Sequence, residues 1–175
     1  MRRHATVLIA VLAAACTQPQ PATEAAGVVQ WDSTAANEAR ASVQKAFDGL
    51  AAMDVNAVTS VVADPFLPTF DVDLENKPVR MATRDEAVNY VTGIIGEVKK
   101  MNATMKLTAK GIECRSTATF GVCTIEYDFA ATMPDGKTMS QPSRMTVALA
   151  KGADGWKWIH WHSSLSSVAP PAAAK

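Results

Sequence analysis

The chain has 175 residues, enough for one domain with a real core and too few for two comfortable ones. Its 17 basic side chains balance 17 acidic ones with no basic stripe, so nucleic acid is not an expected partner. Removing Arg2 and Arg3 with an N-terminal leader would leave 15 basic against 17 acidic residues, a net charge of −2.

Residues 1–15 read as that leader. Arg2 and Arg3 give a positive start, and residues 5–15, ATVLIAVLAAA, are an apolar run of 11. A helix needs ~20 such residues to span a bilayer, so the run fits a cleaved signal and not a transmembrane segment. Ala13-Ala14-Ala15 runs directly into Cys16, a junction that resembles the bacterial lipobox. The resemblance implies a mature terminus acylated at Cys16 and stably held by membrane lipid. An ordinary secretory signal cut near the same point is the alternative. Thr17, where Asp is absent, resembles the Gram-negative sorting pattern for the outer membrane, which implies a lipoprotein on its periplasmic face. Residues 16–32 are rich in Pro, Ala, Gln and Thr and read as a flexible tether. The tail, residues 168–175, is not expected to pack. The folded domain is expected over residues 33–167.

Within it, residues 37–53 place Val43, Ala46, Phe47 and Leu50 at helical spacing on one stripe. Asp54 is an N-cap for a short second helix with Val55, Val58, Val61 and Val62 inward, stopped at Asp64-Pro65. FLPTFDVD, residues 66–73, is extended, and Pro68 marks it as an edge or irregular strand. Thr83-Arg84-Asp85-Glu86 is a capping box that opens a third helix with Val88, Val91, Ile94, Ile95 and Val98 on one side. Gly93 and Gly96 inside that helix each cost about 1 kcal/mol against Ala. Close packing of helix on sheet would account for them; a looser helix is the alternative.

From Asn102 onward the pattern alternates. Met105 and Leu107, then Ile125, Tyr127 and Phe129, then Met145, Val147 and Leu149 form three apolar faces of period two. Pro134-Asp135-Gly136 and Gly152-Ala153-Asp154-Gly155 are the turns between strands. Cys114 and Cys123 flank RSTATFGV, whose midpoint lies between Ala118 and Thr119, so a hairpin there sets the two sulfurs opposite one another. In an oxidising compartment they are expected to form a disulfide. Helices followed by an antiparallel meander make an α+β domain with the helices on one sheet face.

This order of elements, ending W-x-x-x-H-x-H-x-S at Trp156, His160, His162 and Ser164, resembles the SnoaL-like group of the nuclear-transport-factor-two-like superfamily. The end motif is similar to the association domain of calcium/calmodulin-dependent kinase II. The resemblance covers about residues 33–166 and implies a cone-shaped curved sheet with a pocket at its open end, in a dimer or larger assembly. The kinase domain carries a pocket arginine after its H-x-H, where this chain has Ser163, so acidic-ligand recognition is not carried over. The isomerase branch implies an aspartate base with a tyrosine donor. Tyr127 and either Asp71 or Asp73 would fill those roles here. The cyclase branch implies a His–Asp pair, for which His160 or His162 with Asp128 is the nearest match.

The stretch WKWIHWHSS, residues 156–164, concentrates tryptophan and histidine. Strict alternation puts Trp156, Trp158, His160 and His162 on one face and Lys157, Ile159, Trp161 and Ser163 on the other. The simplest alignment sets Ile159 and Trp161 in the cone and the histidines on the outer face with Glu126, Asp128 and Arg144. The opposite register would put the histidines in the pocket. An outer face bearing Trp158 suggests a subunit contact. His160 and His162 also form a two-ligand arm for zinc, with Asp128 or Glu126 as a third ligand. Hydrogen-bonded structural histidines are the preferred reading, with no metal and no cofactor.

The expected pocket is lined by Phe70, Asp71, Tyr127, Phe129, Met145, Trp161 and Ser163, and suits a small apolar ligand. A lipid-anchored, homodimeric binding or assembly module without catalysis is the first expectation. The alternative is an isomerase, cyclase or hydrolase with a pocket Asp or His as general base. A strongly perturbed carboxyl or imidazole facing the pocket would favour the alternative.

Overall fold

The computed structural model describes residues 29–73 and 77–166. Cys16, the leader and the tail lie outside the described residues. Helix α1 (Ser33–Ala51) starts a turn earlier than the apolar stripe requires, because Asp32 accepts from the backbone N–H groups of Thr34 and Ala35. It buries Ala39, Val43, Ala46 and Phe47. Asp54 caps the short α2 (Val55–Thr59) through the Ala57 N–H at 3.1 Å. Helix α3 (Arg84–Lys100) opens on the expected capping box: Thr83 Oγ1 accepts from Glu86 N at 3.2 Å, while Glu86 Oε2 accepts from Ala82 N at 2.6 Å. Added Cβ atoms at Gly93 or Gly96 would meet nothing within 4 Å, so these glycines do not serve close helix-on-sheet packing.

Six strands make one sheet: β1 (Thr69–Val72), β2 (Pro78–Met81), β3 (Thr104–Ser116), β4 (Phe120–Thr132), β5 (Thr138–Gly152) and β6 (Gly155–Leu165). Their order across the sheet is β2-β1-β6-β5-β4-β3. The strand containing Asp71 is therefore not an edge strand. The sequence pattern missed β2, which takes the edge instead, while Pro68 sits just before β1, where its missing N–H costs no ladder bond. The turns into β5 and β6 use Gly136 at φ +84° and Gly155 at φ +89°, a region that glycine enters without steric cost.

The β3–β4 hairpin pairs Cys114 with Cys123, Cα to Cα 4.1 Å, and the sulfurs stand at disulfide distance. The pair lies on the inner face, in one row with Val147 and Trp161. Against this face α1 packs Ala39, Val43, Ala46 and Phe47, with Ile125, Val147, Leu149, Trp156, Trp158 and Trp161 opposite. A second cluster joins α3 to β3 through Val91, Ile95, Val98, Ala103 and Met105.

The final strand departs from strict alternation. Trp158 pairs with Leu149 and His160 with Ala148, leaving Ile159 as an extra residue in a bulge. The segment before β1 grips β6 there: Trp158 N donates to Val61 O at 2.7 Å, and Leu67 N donates to Ile159 O at 2.7 Å. The extra residue shifts the facing by one. Trp156, Trp158, Trp161 and Ser163 are thus all buried, at 6%, 4%, 3% and 3% exposure. The placement of Trp158 on an outer contact face is corrected: it is a core residue, edge to face with Trp161 at 6.0 Å.

Candidate functional site

Between the concave sheet face and helices α1, α2 and α3 lies a cavity of about 110 Å³. Leu50, Val58, Tyr90, Val91 and Ile94 close it from the helical side, and Met105, Leu107, Tyr127, Phe129, Met145, Trp158 and Trp161 from the sheet. Its polar groups are Asp71, Asp73, Gln141 and Ser143 with the two tyrosine hydroxyls.

Asp71 reaches the cavity because successive strand residues face opposite ways. Its neighbour Phe70 faces outward, pairs with His162 and is 45% exposed. Phe70 is therefore removed from the expected pocket. The inner place goes to the carboxyl because Trp161 Nε1 donates to Asp71 Oδ2 at 2.8 Å and Val72 N donates to Oδ1 at 2.8 Å. Trp161 is itself fixed by its backbone N–H bond to Thr69 Oγ1 at 3.1 Å and by Phe66, 5.2 Å away between ring centroids.

Burial raises the Asp71 pKa, because a low-dielectric surround disfavours the anion. The Val72 N–H, the Trp161 N–H, the Ser163 hydroxyl and the charge of His162 act in the opposite direction and only partly offset it. Tyr127, edge-on to Phe47 at 5.2 Å, is pushed up by burial and then by the nearby Asp71. Tyr90 is pushed up by burial, then by Asp71, Tyr127 and Asp73, and its hydroxyl donates to Val72 O at 2.7 Å. Both phenols therefore stay protonated at neutral pH, with the one O–H of Tyr90 committed to Val72 O. Ser163 is buried beside Asp71 and Tyr127 and favours the ionised form of each, yet its Oγ has no partner at hydrogen-bonding geometry among the described residues.

Of the expected lining, Asp71, Tyr127, Phe129, Met145 and Trp161 meet at the cavity; Ser163 is buried but does not line it, which corrects that expectation. Tyr90, Gln141, Ser143 and Trp158 were not foreseen. Tyr90 stands four residues before Ile94 on the same helical side, and Ser143 has the parity of Met145 and Val147; both spacings carry a usable signal.

The histidines face the other side. His162 is exposed opposite Thr146, and His160 Nδ1 bonds Pro68 O at 2.9 Å. Glu126 pairs with Arg144 in the ladder on that same outer face. Asp128 pairs with Pro142, four positions along β5 from Thr146, and its carboxylate is held by Lys110 at 2.8 Å. The β5 register thus separates Asp128 from both histidines, and the His–Asp pair of the cyclase pattern does not form. Among the described residues no three His, Cys, Asp or Glu side chains cluster as metal ligands.

The SnoaL-like domain model matches residues 39–168, most of the chain, so the chain belongs to the SnoaL-like domain family. No curated protein matches it. Among solved structures it is similar to a candidate dehydratase of the NTF2-like family from Streptomyces avermitilis. That pair shares 13% identity at TM-score 0.65, over 75% of this chain and 96% of the other. A candidate calcium/calmodulin-dependent protein kinase II association domain from Xanthomonas campestris is 22% identical at TM-score 0.58, over 73% and 85%. A cystatin-like fold from Caulobacter vibrioides is 19% identical at TM-score 0.61, over 77% and 92%. At these identities the likeness establishes the cone-shaped fold and no activity.

Proposed function

We propose that the cavity takes up a small, mostly apolar molecule and that Asp71 moves a proton on it as a general base. The observation that carries this reading is a single carboxyl with a raised pKa, facing an apolar cavity between two protonated tyrosines. A raised pKa brings a carboxylate closer to the basicity that proton abstraction at neutral pH requires. The protonated Tyr127 is the proposed donor to charge that develops on the substrate. The reaction class is proton abstraction and return at a carbon acid, as in an isomerisation or dehydration; the candidate dehydratase of the same fold is compatible with it.

Solvent deuterium uptake tests this. Small ketones, esters and nitroalkanes incubated with the protein in D₂O and followed by NMR should exchange at the acidic carbon. Asp71→Asn should slow that exchange by about 10²–10⁴-fold while leaving the fold intact. Binding without turnover is the second reading, favoured by the two N–H groups already resting on the Asp71 oxygens. It predicts bound ligand and no exchange in either protein.

The leader motif supports a chain anchored through acylated Cys16 to the periplasmic face of the outer membrane. A homodimer through the outer sheet face is part of the same proposal. Exposed Phe70, His162 and Thr146 run across that face in one row, beside Glu126 and Arg144.

A further inference from the structure

One end of the molecule carries apolar side chains that the core does not use. Val29 and Trp31, just ahead of α1, are each 54% exposed, and Phe120, at the start of β4, is 45% exposed. The backbone brings them to the same end. Asp32 N donates to Ser116 O at 2.7 Å, and Thr117 N donates to Phe120 O at 2.8 Å across the β3–β4 turn. Residues 29–31 and 116–122 contain no charged side chain. Lys151, whose backbone N–H donates to Thr119 O at 2.8 Å, has its ammonium paired with Glu38. Apolar side chains exposed singly need no account, whereas several gathered on an uncharged rim mark a contact surface.

We propose that this end is a membrane-docking surface, with Val29, Trp31 and Phe120 resting in the headgroup region of a lipid bilayer. The proposal rests on the reading that Cys16 is acylated. Cys16 lies 13 positions before Val29, so the chain between them reaches at most about 45 Å when fully extended. An anchored chain thus enters the fold at this end and keeps it within reach of the bilayer. A short linker holds what it carries at an effective concentration on the order of millimolar. A few apolar side chains then suffice where they would not bind unaided. Tryptophan suits that depth, because its ring is apolar and its N–H can meet a headgroup or water. On β4 the cavity residues Tyr127 and Phe129 stand 7 and 9 positions beyond Phe120. At ~3.3 Å per residue that is roughly 20–30 Å, so docking by this end holds the cavity clear of lipid.

Full-length acylated protein in phosphatidylethanolamine–phosphatidylglycerol vesicles tests this. Flotation reports the anchor, and quenching of tryptophan emission by brominated acyl chains reports the docking. Wild type should float and lose its Trp31 emission to the bromine. Trp31→Phe should float with its emission unquenched, since the other three of the chain's 4 tryptophans are buried. Phe120→Ser, a change at an exposed position, should float and lose most of the quenching. Wild type that floats without quenching overturns the docking and leaves the anchor standing. Wild type that does not float defeats the anchor and the docking that rests on it. Full quenching in Phe120→Ser, or quenching in Trp31→Phe, also overturns the proposal. So does Trp31 emission that changes with protein density and not with bromine, the mark of a second copy covering the patch.

Discussion

The carboxyl of Asp71 is drawn two ways: burial favours its protonated form, and the Val72 and Trp161 N–H groups favour the anion. Burial dominates, so the folded chain holds that proton more tightly than the unfolded one. A carboxyl with a raised folded pKa contributes most favourably below its unfolded value, and that contribution is lost as pH rises through the folded value. Asp71→Asn, which keeps an acceptor for Trp161 Nε1, should therefore melt above wild type at pH 7. The gap should close as pH falls into the ordinary carboxylate range. Each kcal/mol is worth about 2–4 °C for a domain of this size, so calorimetry across pH checks it. In the sequence Asp71 and Asp73 have the same parity and equal claim, and both line the cavity. Naming Phe70 beside Asp71 as co-lining residues overlooked that adjacent strand residues cannot share a face.

Strand β6 shows how an element can be legible in content and misread in facing. Its alternation and its closing position follow from WKWIHWHSS, and His160 and His162 do lie on the outer face. The placement of Trp158 does not follow, because one extra residue at Ile159 reverses parity, and a bulge depends on the partner strand as well as on the bulged one. With both indoles in the core, Trp158→Ala and Trp161→Ala should each destabilise the domain by about 3–5 kcal/mol. Chemical denaturation measures this. A loss under 1 kcal/mol for Trp158→Ala would contradict its interior placement. By contrast, the β3–β4 hairpin was readable to the residue, since the equal distances of Cys114 and Cys123 from its midpoint fix their opposition. Strand β2 was unreadable: four residues, Pro78–Met81, are too few to show a period.

At the scale of the whole molecule, the α+β class and the family follow from element order, which survives even when individual faces are misassigned. The full cavity wall does not follow, because it combines α1, α2, α3 and five strands whose approach depends on sheet order. The proposed anchor belongs to this scale as well. Cys16→Ala should move the protein out of the membrane fraction or leave an unprocessed precursor, read by fractionation and mass. Unchanged mobility and membrane association would contradict acylation at that residue.

The pH dependence of ketone deuterium exchange tests the central claim most directly, because it links one rate to one carboxyl. The account predicts a rate that falls with acid through a single ionisation above the usual carboxylate range, together with its loss in Asp71→Asn. A flat profile, or exchange that persists in Asp71→Asn, would contradict it.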